Sequence, residues 1–465
     1  MQVTRVIRSA ITVALLAAIA LSFIPAYSLA SMGAGSASVT PPVVTRSWYF
    51  AEGTTAYGFE EYVCIQNPTV TDSKVQVTYM LTGDKGHVAG DPFILKSFSR
   101  ATVNVADVVP GTDVSVRVDS DQDVVCERSM YWGGRIEGHD SIGVTAPKTA
   151  WYLAEGCTNY GFEEYLALQN PGESVARVTV TYNTSNGPVR QPAIPVAAHS
   201  RKTVRVNDVI PADDVSVTVA ADKPVVAERS MYWDGRRGGH DSIGTDSPSK
   251  QWFLAEGSTK WGFSTYVLVQ NPAAADATVK MTFLTEAGPM KGPTLAVKAG
   301  SRRTVDARTI VGNADFSTSV EADRGVVCER SMYWNNGTGK AGHDTIGVKQ
   351  PKEICCLAEG TTGYGFETFV LIANPNAEEN DVAIEYMTPT GVEPRPSVTI
   401  PPYSRLTINV NADLAGRDVS IRLMGNLEIA AERAMYWNGR GGGHDSIGYM
   451  YDVSEMSTPA GTSLP

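Results

Sequence analysis

The residues best suited to chemistry lie in one stretch that the chain writes four times, at 126–143, 227–244, 328–347 and 431–448. Each copy carries Glu-Arg-(Ser/Ala)-Met-Tyr-Trp, a loop of changing length, and Gly-His-Asp-(Ser/Thr)-Ile-Gly. A His, an Asp and a Ser in succession suggest a hydrolase. On a strand, however, neighbouring side chains point to opposite faces, so Asp140 faces away from His139 and Ser141, and a triad needs all three to converge. The chain also has no Gly-x-Ser-x-Gly elbow. No catalytic residue is expected, and the chain is read as a non-enzyme. Metal binding is the next chemistry to weigh, because Glu52, Glu127, His139 and Asp140 recur as Glu155, Glu228, His240 and Asp241. One His per copy, without paired-ligand spacing, does not make a zinc site, and no loop has the acidic spacing of a calcium site. A hydrogen-bonded or solvated His-Asp pair is favoured, with no metal and no cofactor.

The arginine is more informative. If 124–132 is a strand, Val124, Cys126, Arg128, Met130 and Trp132 share one face, and that face reads as core. An inward guanidinium must meet a carboxylate. Glu52 and Asp140 are the recurring candidates. A structural clamp is favoured; the sharper reading is a polar site at one end of each copy. Aromatic company would make it a site, since Tyr57-Gly-Phe59 recurs with Tyr160, Trp261 and Tyr364 in the first position. A Tyr that exchanges with Trp keeps a flat π-face with a polar tip, as sugar stacking needs. The bland alternative has Phe59 plugging the core end, with Tyr57 and Trp132 covering it. The candidate binding set in copy one is therefore Glu52, Tyr57, Arg128, Trp132, His139 and Asp140. Its counterparts are Glu155, Tyr160, Arg229, Trp233, His240 and Asp241 in copy two, and Glu256, Trp261, Arg330, Trp334, His343 and Asp344 in copy three. Copy four supplies Glu359, Tyr364, Arg433, Trp437, His444 and Asp445.

The elements that must position these residues follow from the repeat. Trp48, Trp151, Trp252 and Cys355 open the copies at spacings of 103, 101 and 103 residues, the size of a small domain and not of a solenoid unit. Period-two alternation, as in Val75, Val77, Tyr79 and Leu81, predicts strands at 47–51, 61–66, 74–81, 92–96, 101–105, 113–119, 124–132 and 139–144. Turns separate them, including a hairpin at Asp121-Gln122 that copies two and three write as Asp222-Lys223-Pro224 and Asp323-Arg324-Gly325. About 100 residues, all strand, predicts an immunoglobulin-like antiparallel β-sandwich. The copies are set at 47–146, 147–247, 248–350 and 351–452. Linkers of about seven residues then imply a semi-rigid linear array.

Residues 1–30 read as a secretory signal peptide, with Arg5 and Arg8, a short apolar run, and small residues at Ser28 and Ala30. A disordered lead-in at 31–46 and a tail at 453–465 flank the copies. No other apolar run is long enough to span a membrane. The net charge of -11, from 39 basic and 50 acidic residues, argues against nucleic acid as a partner. Of the six cysteines, Cys64 and Cys126 stand where other copies have small or apolar residues, so they read as core thiols, while Cys355-Cys356 are a possible cross-linking point.

Together, Trp-Tyr-(Phe/Leu)-Ala-Glu-Gly, Gly-Phe…Tyr…Asn-Pro and the two closing motifs resemble a repeat family of unknown function found in exported and surface proteins of actinobacteria and related bacteria. That resemblance, covering about 47–451, implies architecture and location and supplies no catalytic residue. Copy four departs from it where Cys355-Cys356 replace the opening aromatic pair. The expected protein is secreted or on the cell surface, a spacer or adhesive module. The alternative is a multivalent binder, with cell-wall polysaccharide or surface proteins as partners.

Overall fold

The computed structural model describes residues 46–335, 337 and 340–452. The signal at 1–30, the lead-in up to 45 and the tail at 453–465 lie outside the described residues. The fold is nearly all β, built from antiparallel sheets.

In copy one the opening strand Arg46–Phe50 pairs with Val114–Ser120, which pairs with Ser73–Leu81, which in turn carries His87–Ala89 and Phe93–Leu95 at its edge. A second sheet runs in the order Ser99–Asn104, Glu60–Asn67, Val125–Trp132, Glu137–Ile142. The expected strands are present; His87–Ala89 and the one-turn helices at Gly83–Lys85 and Val105–Asp107 were not foreseen. The two sheets form a sandwich-like pair around Val63, Ile65, Val75, Val77, Val116 and Val118, all buried because the alternating β-branched residues turn inward. The opening tryptophans fix one edge of this core: the Trp48, Trp151 and Trp252 indoles donate to the carbonyls of Val124, Val225 and Val326 at 2.7–2.8 Å.

The expected hairpin near Asp121 does not form. In copies two to four a single strand, Ser216–Trp233, Phe316–Asn335 or Ser420–Trp437, leaves one sheet and enters the other. Its first half pairs with the opening strand and its second half with the return strand. The Asp-Lys-Pro and Asp-Arg-Gly segments are where the backbone crosses between sheets, so their turn-forming residues bend a strand and do not reverse it.

The linear array is also corrected. The return strands Glu137–Ile142, Gly238–Ile243, Lys340–Ile346 and Gly442–Ile447 pack one against the next, and the fourth packs against the first. On the outside, each copy's second sheet lies against the first sheet of the preceding copy: Gln169 donates to the Val116 carbonyl at 3.1 Å and Gln270 to that of Val217 at 3.2 Å. Gln66 makes the same bond, at 3.3 Å, to Ile421 of copy four. The four copies therefore close into a ring. Its physical cause is visible in Val125–Trp132, where every residue is buried: the strand carries apolar or aromatic side chains on both faces, so both need a neighbour. Close approach at the axis uses glycine. A Cβ on Gly239 would lie 2.7 Å from the Tyr232 ring and 3.0 Å from Trp132 of the preceding copy; at Gly443 the distances to Tyr436 and Trp334 are 2.6 and 3.0 Å.

Candidate functional site

The recurring polar residues converge, but between copies. The closing strand turns its Arg toward the next copy, where Arg128 donates to Glu228 at 2.5 Å and to Asp241. Arg229 meets Glu329 and Asp344 at 2.7 and 2.6 Å, and Arg330 meets Glu432 and Asp445 at 2.6 and 2.5 Å. Arg433 closes the ring onto Glu127 and Asp140 of copy one at 2.7 and 2.5 Å. All these side chains are 0% exposed. The buried guanidinium is thus answered by carboxylates as physical chemistry requires, but not by Glu52 or Asp140 of its own copy. An Asp from the return segment of the neighbour supplies one partner, and the Glu preceding the neighbour's Arg supplies the other.

Around each Arg the same shell repeats. The second oxygen of Glu228 accepts from the backbone N–H groups of Ala51 and Glu52 at 2.9 and 2.8 Å. Glu329, Glu432 and Glu127 accept likewise from Ala154, Ala255 and Ala358 at 2.6–2.7 Å. Glu52 is drawn to Arg201 of copy two at 3.4 Å, and Glu155, Glu256 and Glu359 to Arg302, Arg405 and Arg100 at 3.5, 4.0 and 3.7 Å. The imidazole Nε2 of His139 lies 3.1 Å from the Tyr232 hydroxyl; His240, His343 and His444 lie 3.0–3.2 Å from Tyr333, Tyr436 and Tyr131. The indoles of Trp132, Trp233, Trp334 and Trp437 each donate to a backbone carbonyl of the next copy at 2.7–2.8 Å. Strand parity is obeyed: His139 faces copy two while Asp140 faces copy four. Ser141 donates to the adjacent Ile142 carbonyl at 3.3 Å.

Charge at these junctions is unbalanced. Each Arg faces two carboxyls away from water, so one of the two favours its protonated form. Burial pushes Glu228 up to about 7, while His139 and Arg128 overcome the same burial to hold Asp241 below its usual range. In the other trios burial raises Asp344, Glu432, Glu127 and Asp140. Burial, reinforced by the neighbouring arginines, holds His240, His343 and His444 well below the usual imidazole range, so they are neutral. Copies one and two add a further acid beneath the Ala-Glu-Gly turn: Glu61 and Glu164 are pushed up to about 8 by burial, where copies three and four carry Thr265 and Thr368. Glu137, on the first return strand where the others have Gly238, Ala341 and Gly442, is buried and pushed up to about 9.

The aromatic residues divide. Phe59 plugs the core end, its ring 5.2 Å from that of Trp132. Tyr57, Tyr160, Trp261 and Tyr364 cover nothing: they are 80%, 82%, 70% and 84% exposed. The candidate set of six is thus split, five sealed at the ring junctions and one at the surface. The alternative of a cross-link at Cys355-Cys356 is not supported, since both thiols are buried and all six cysteines are free. Sequence reasoning missed three groups of partners: Glu127, Tyr131 and Arg100 with their counterparts. Each recurs at the equivalent position in all four copies, Glu127 and Tyr131 on the closing strand and Arg100 on Ser99–Asn104, so recurrence itself was the signal. Among the described residues, no group of three or more His, Cys, Asp or Glu is placed to hold a metal ion, and no helix is long and apolar enough to cross a membrane.

A family model of unknown function, DUF5719, matches the chain twice, over residues 123–241 and 234–345. Among solved structures, the chain is similar to Thermotoga maritima 1070, at 17% identity over 22% of this chain and 96% of that one, with a TM-score of 0.21. It is also similar to the Anabaena sensory rhodopsin transducer, at 31% identity over 17% of this chain and 94% of that one, with a TM-score of 0.16. No curated protein matches.

Proposed function

We propose that the chain is an exported, non-catalytic surface protein, with four immunoglobulin-like sandwich domains joined edge to edge as a rigid spacer or adhesive module. One observation carries this reading: nearly every residue type that suggested chemistry is consumed in holding copy to copy. The candidate His, Asp, Glu and Arg side chains meet one another across the junctions and are sealed from solvent, the condition of a clamp and not of a site that admits substrate. Closure favours a scaffold as well, since a ring stands as one body where a chain of linked domains flexes at each linker. The basic-then-apolar segment at 1–30 supports export, and six unpaired cysteines do not oppose it, because burial keeps them from oxidants.

Fractionation of producing cells tests this reading. The mature protein is expected in the medium or on the surface, accessible to added protease in intact cells and shorter than the full chain by about the signal segment. Full-length protein confined to the cytoplasm would overturn it.

A further inference from the structure

Tyr57, Tyr160, Trp261 and Tyr364 occupy a backbone conformation that aromatic residues avoid. Their φ angles are 57°, 53°, 50° and 55°, and the glycines that follow have φ of 81–88°. Each pair forms the centre of a tight turn closed by a backbone hydrogen bond from the following Phe, at 3.0 Å in copy one and 2.9 Å in the others. Two successive positive φ angles define a type I′ turn, in which Asn-Gly is the easy choice. A left-handed residue other than Gly or Asn costs about 1–2 kcal/mol. Left-handed residues also recur at Phe98, His199 and Tyr403 and at Arg135, Arg236 and Arg440; the four tips stand apart because they combine that strain with a large ring that is 70–84% exposed.

The turn is also rigid. On one side its Phe is anchored in the core: Phe59, Phe263 and Phe366 are buried. On the other, Thr55, Thr158, Thr259 and Thr362 donate from their hydroxyls to backbone carbonyls across the loop. One aromatic is thus held inside while its neighbour two residues earlier is held out in water. Because equivalent residues make all four junctions, rotation about the ring axis carries each tip onto the next. The four aromatics are therefore equivalent points around the ring.

We propose that these four tips are stacking points for the repeating glycan strands of peptidoglycan, engaged together by one ring. The occupant follows from what surrounds them. The tips are single rings set among small and polar residues, with the Lys260 ammonium 5.5 Å from the centre of the Trp261 ring in copy three, and not a continuous apolar patch of the kind a protein interface uses. Beside the tips, Glu60, Glu163 and Glu367 are ion-paired with Arg135, Arg236 and Arg440, and Lys260 with Asp315, so the turns present no basic cluster of the kind that an anionic lipid surface attracts. A pyranose offers an apolar C–H face to an aromatic ring and hydroxyls to carboxylates, and Tyr and Trp serve equally as its platform. Four equal, weak points on a rigid body suit a ligand that repeats. This rests on the adhesive reading above.

The test uses the full mature chain and a variant carrying Tyr57→Asn, Tyr160→Asn, Trp261→Asn and Tyr364→Asn, since Asn keeps the turn at lower strain. Both are sedimented with protein-free peptidoglycan sacculi stripped of anionic polymers, and separately with phosphatidylcholine vesicles. The native chain is expected to be retained on sacculi, and the variant to bind ~100-fold more weakly with an unlowered melting temperature. Failure of the native chain to bind sacculi, or equal retention of the variant, would overturn the proposal. So would vesicle binding that depends on the four aromatics, which would assign the tips to a membrane. An exported chain that sacculi do not retain defeats this inference alone; a retained chain that is never exported defeats the location alone.

Discussion

Replacing Arg433 with alanine is expected to destabilise the protein by about 3–5 kcal/mol, the cost of leaving buried carboxyls without their cation. The substitution leaves Glu127 and Asp140 facing each other, both 0% exposed, with no guanidinium between them. It also acts where the ring has no covalent help. Arg433 and Asp140 are 293 residues apart in sequence, and the junction between copies four and one is spanned by no linker. Other bonds would remain there, among them Trp437 to the Arg135 carbonyl at 2.8 Å, His444 to Tyr131 at 3.0 Å, Ala358 to Glu127 at 2.7 Å, Gln66 to the Ile421 carbonyl at 3.3 Å and Arg422 to the Pro68 carbonyl at 2.8 Å. The expected result is a lower denaturant midpoint together with faster amide exchange in Glu137–Ile142 and Gly442–Ile447. Arg128→Ala should destabilise comparably, but there the linker keeps copies one and two adjacent, so exchange should rise less. An Arg433→Ala protein with an unchanged midpoint would mean that the junction bears no load.

The second large effect is on pH. Glu228 and Glu256 are raised by burial to about 7, Glu61 and Glu164 to about 8, and Glu137 to about 9. In the unfolded chain these groups titrate in the ordinary glutamate range. Between that range and their folded values the native state holds protons that the unfolded state has lost, so stability falls as pH rises. Each such group contributes about 1.4 kcal/mol per pH unit while that difference lasts. The neutral histidines act in the opposite sense: His240, His343 and His444 cost stability as pH drops below the usual imidazole range, because only the unfolded state takes up their protons. The ring should therefore be most stable under mildly acidic conditions, and its melting temperature should fall between pH 6 and pH 9 by an amount reflecting several kcal/mol. Glu61→Thr with Glu164→Thr, which installs what copies three and four already carry, should flatten that fall. A melting temperature that rises toward pH 9 would contradict the buried-acid account.

Much of the local structure was legible in the residues, and the reasons are physical. Period-two alternation reports which side chains need burial, so Ser73–Leu81 and Val114–Ser120 stand close to where they were expected. Parity also predicted that Arg128 is buried and that His139 and Asp140 diverge. Parity names a face, however, and not the body that covers it. A Trp on one face of Val125–Trp132 and a Tyr on the other implied cover on both sides, and two covers per copy imply a closed circuit. Looking for the partner of Arg128 within its own copy led to Glu52 and Asp140, and reading the short linkers alone led to a linear array. The turn residues at Asp222–Pro224 misled for a similar reason: they report a change of backbone direction, which a strand passing between two sheets also requires. The exposure of Tyr57 was not legible, because a Tyr-Gly pair does not reveal which side of a turn faces the core.

Closure of the ring is the claim on which the clamp, the pH response and the equivalence of the four aromatic tips depend, and solution scattering of residues 46–452 as a monomer tests it most directly. A closed body of roughly 400 residues should have a radius of gyration near 22 Å, with a single compact distance distribution. A radius roughly twice that of a compact body, with a distribution trailing to the length of four sandwiches in line, would contradict it.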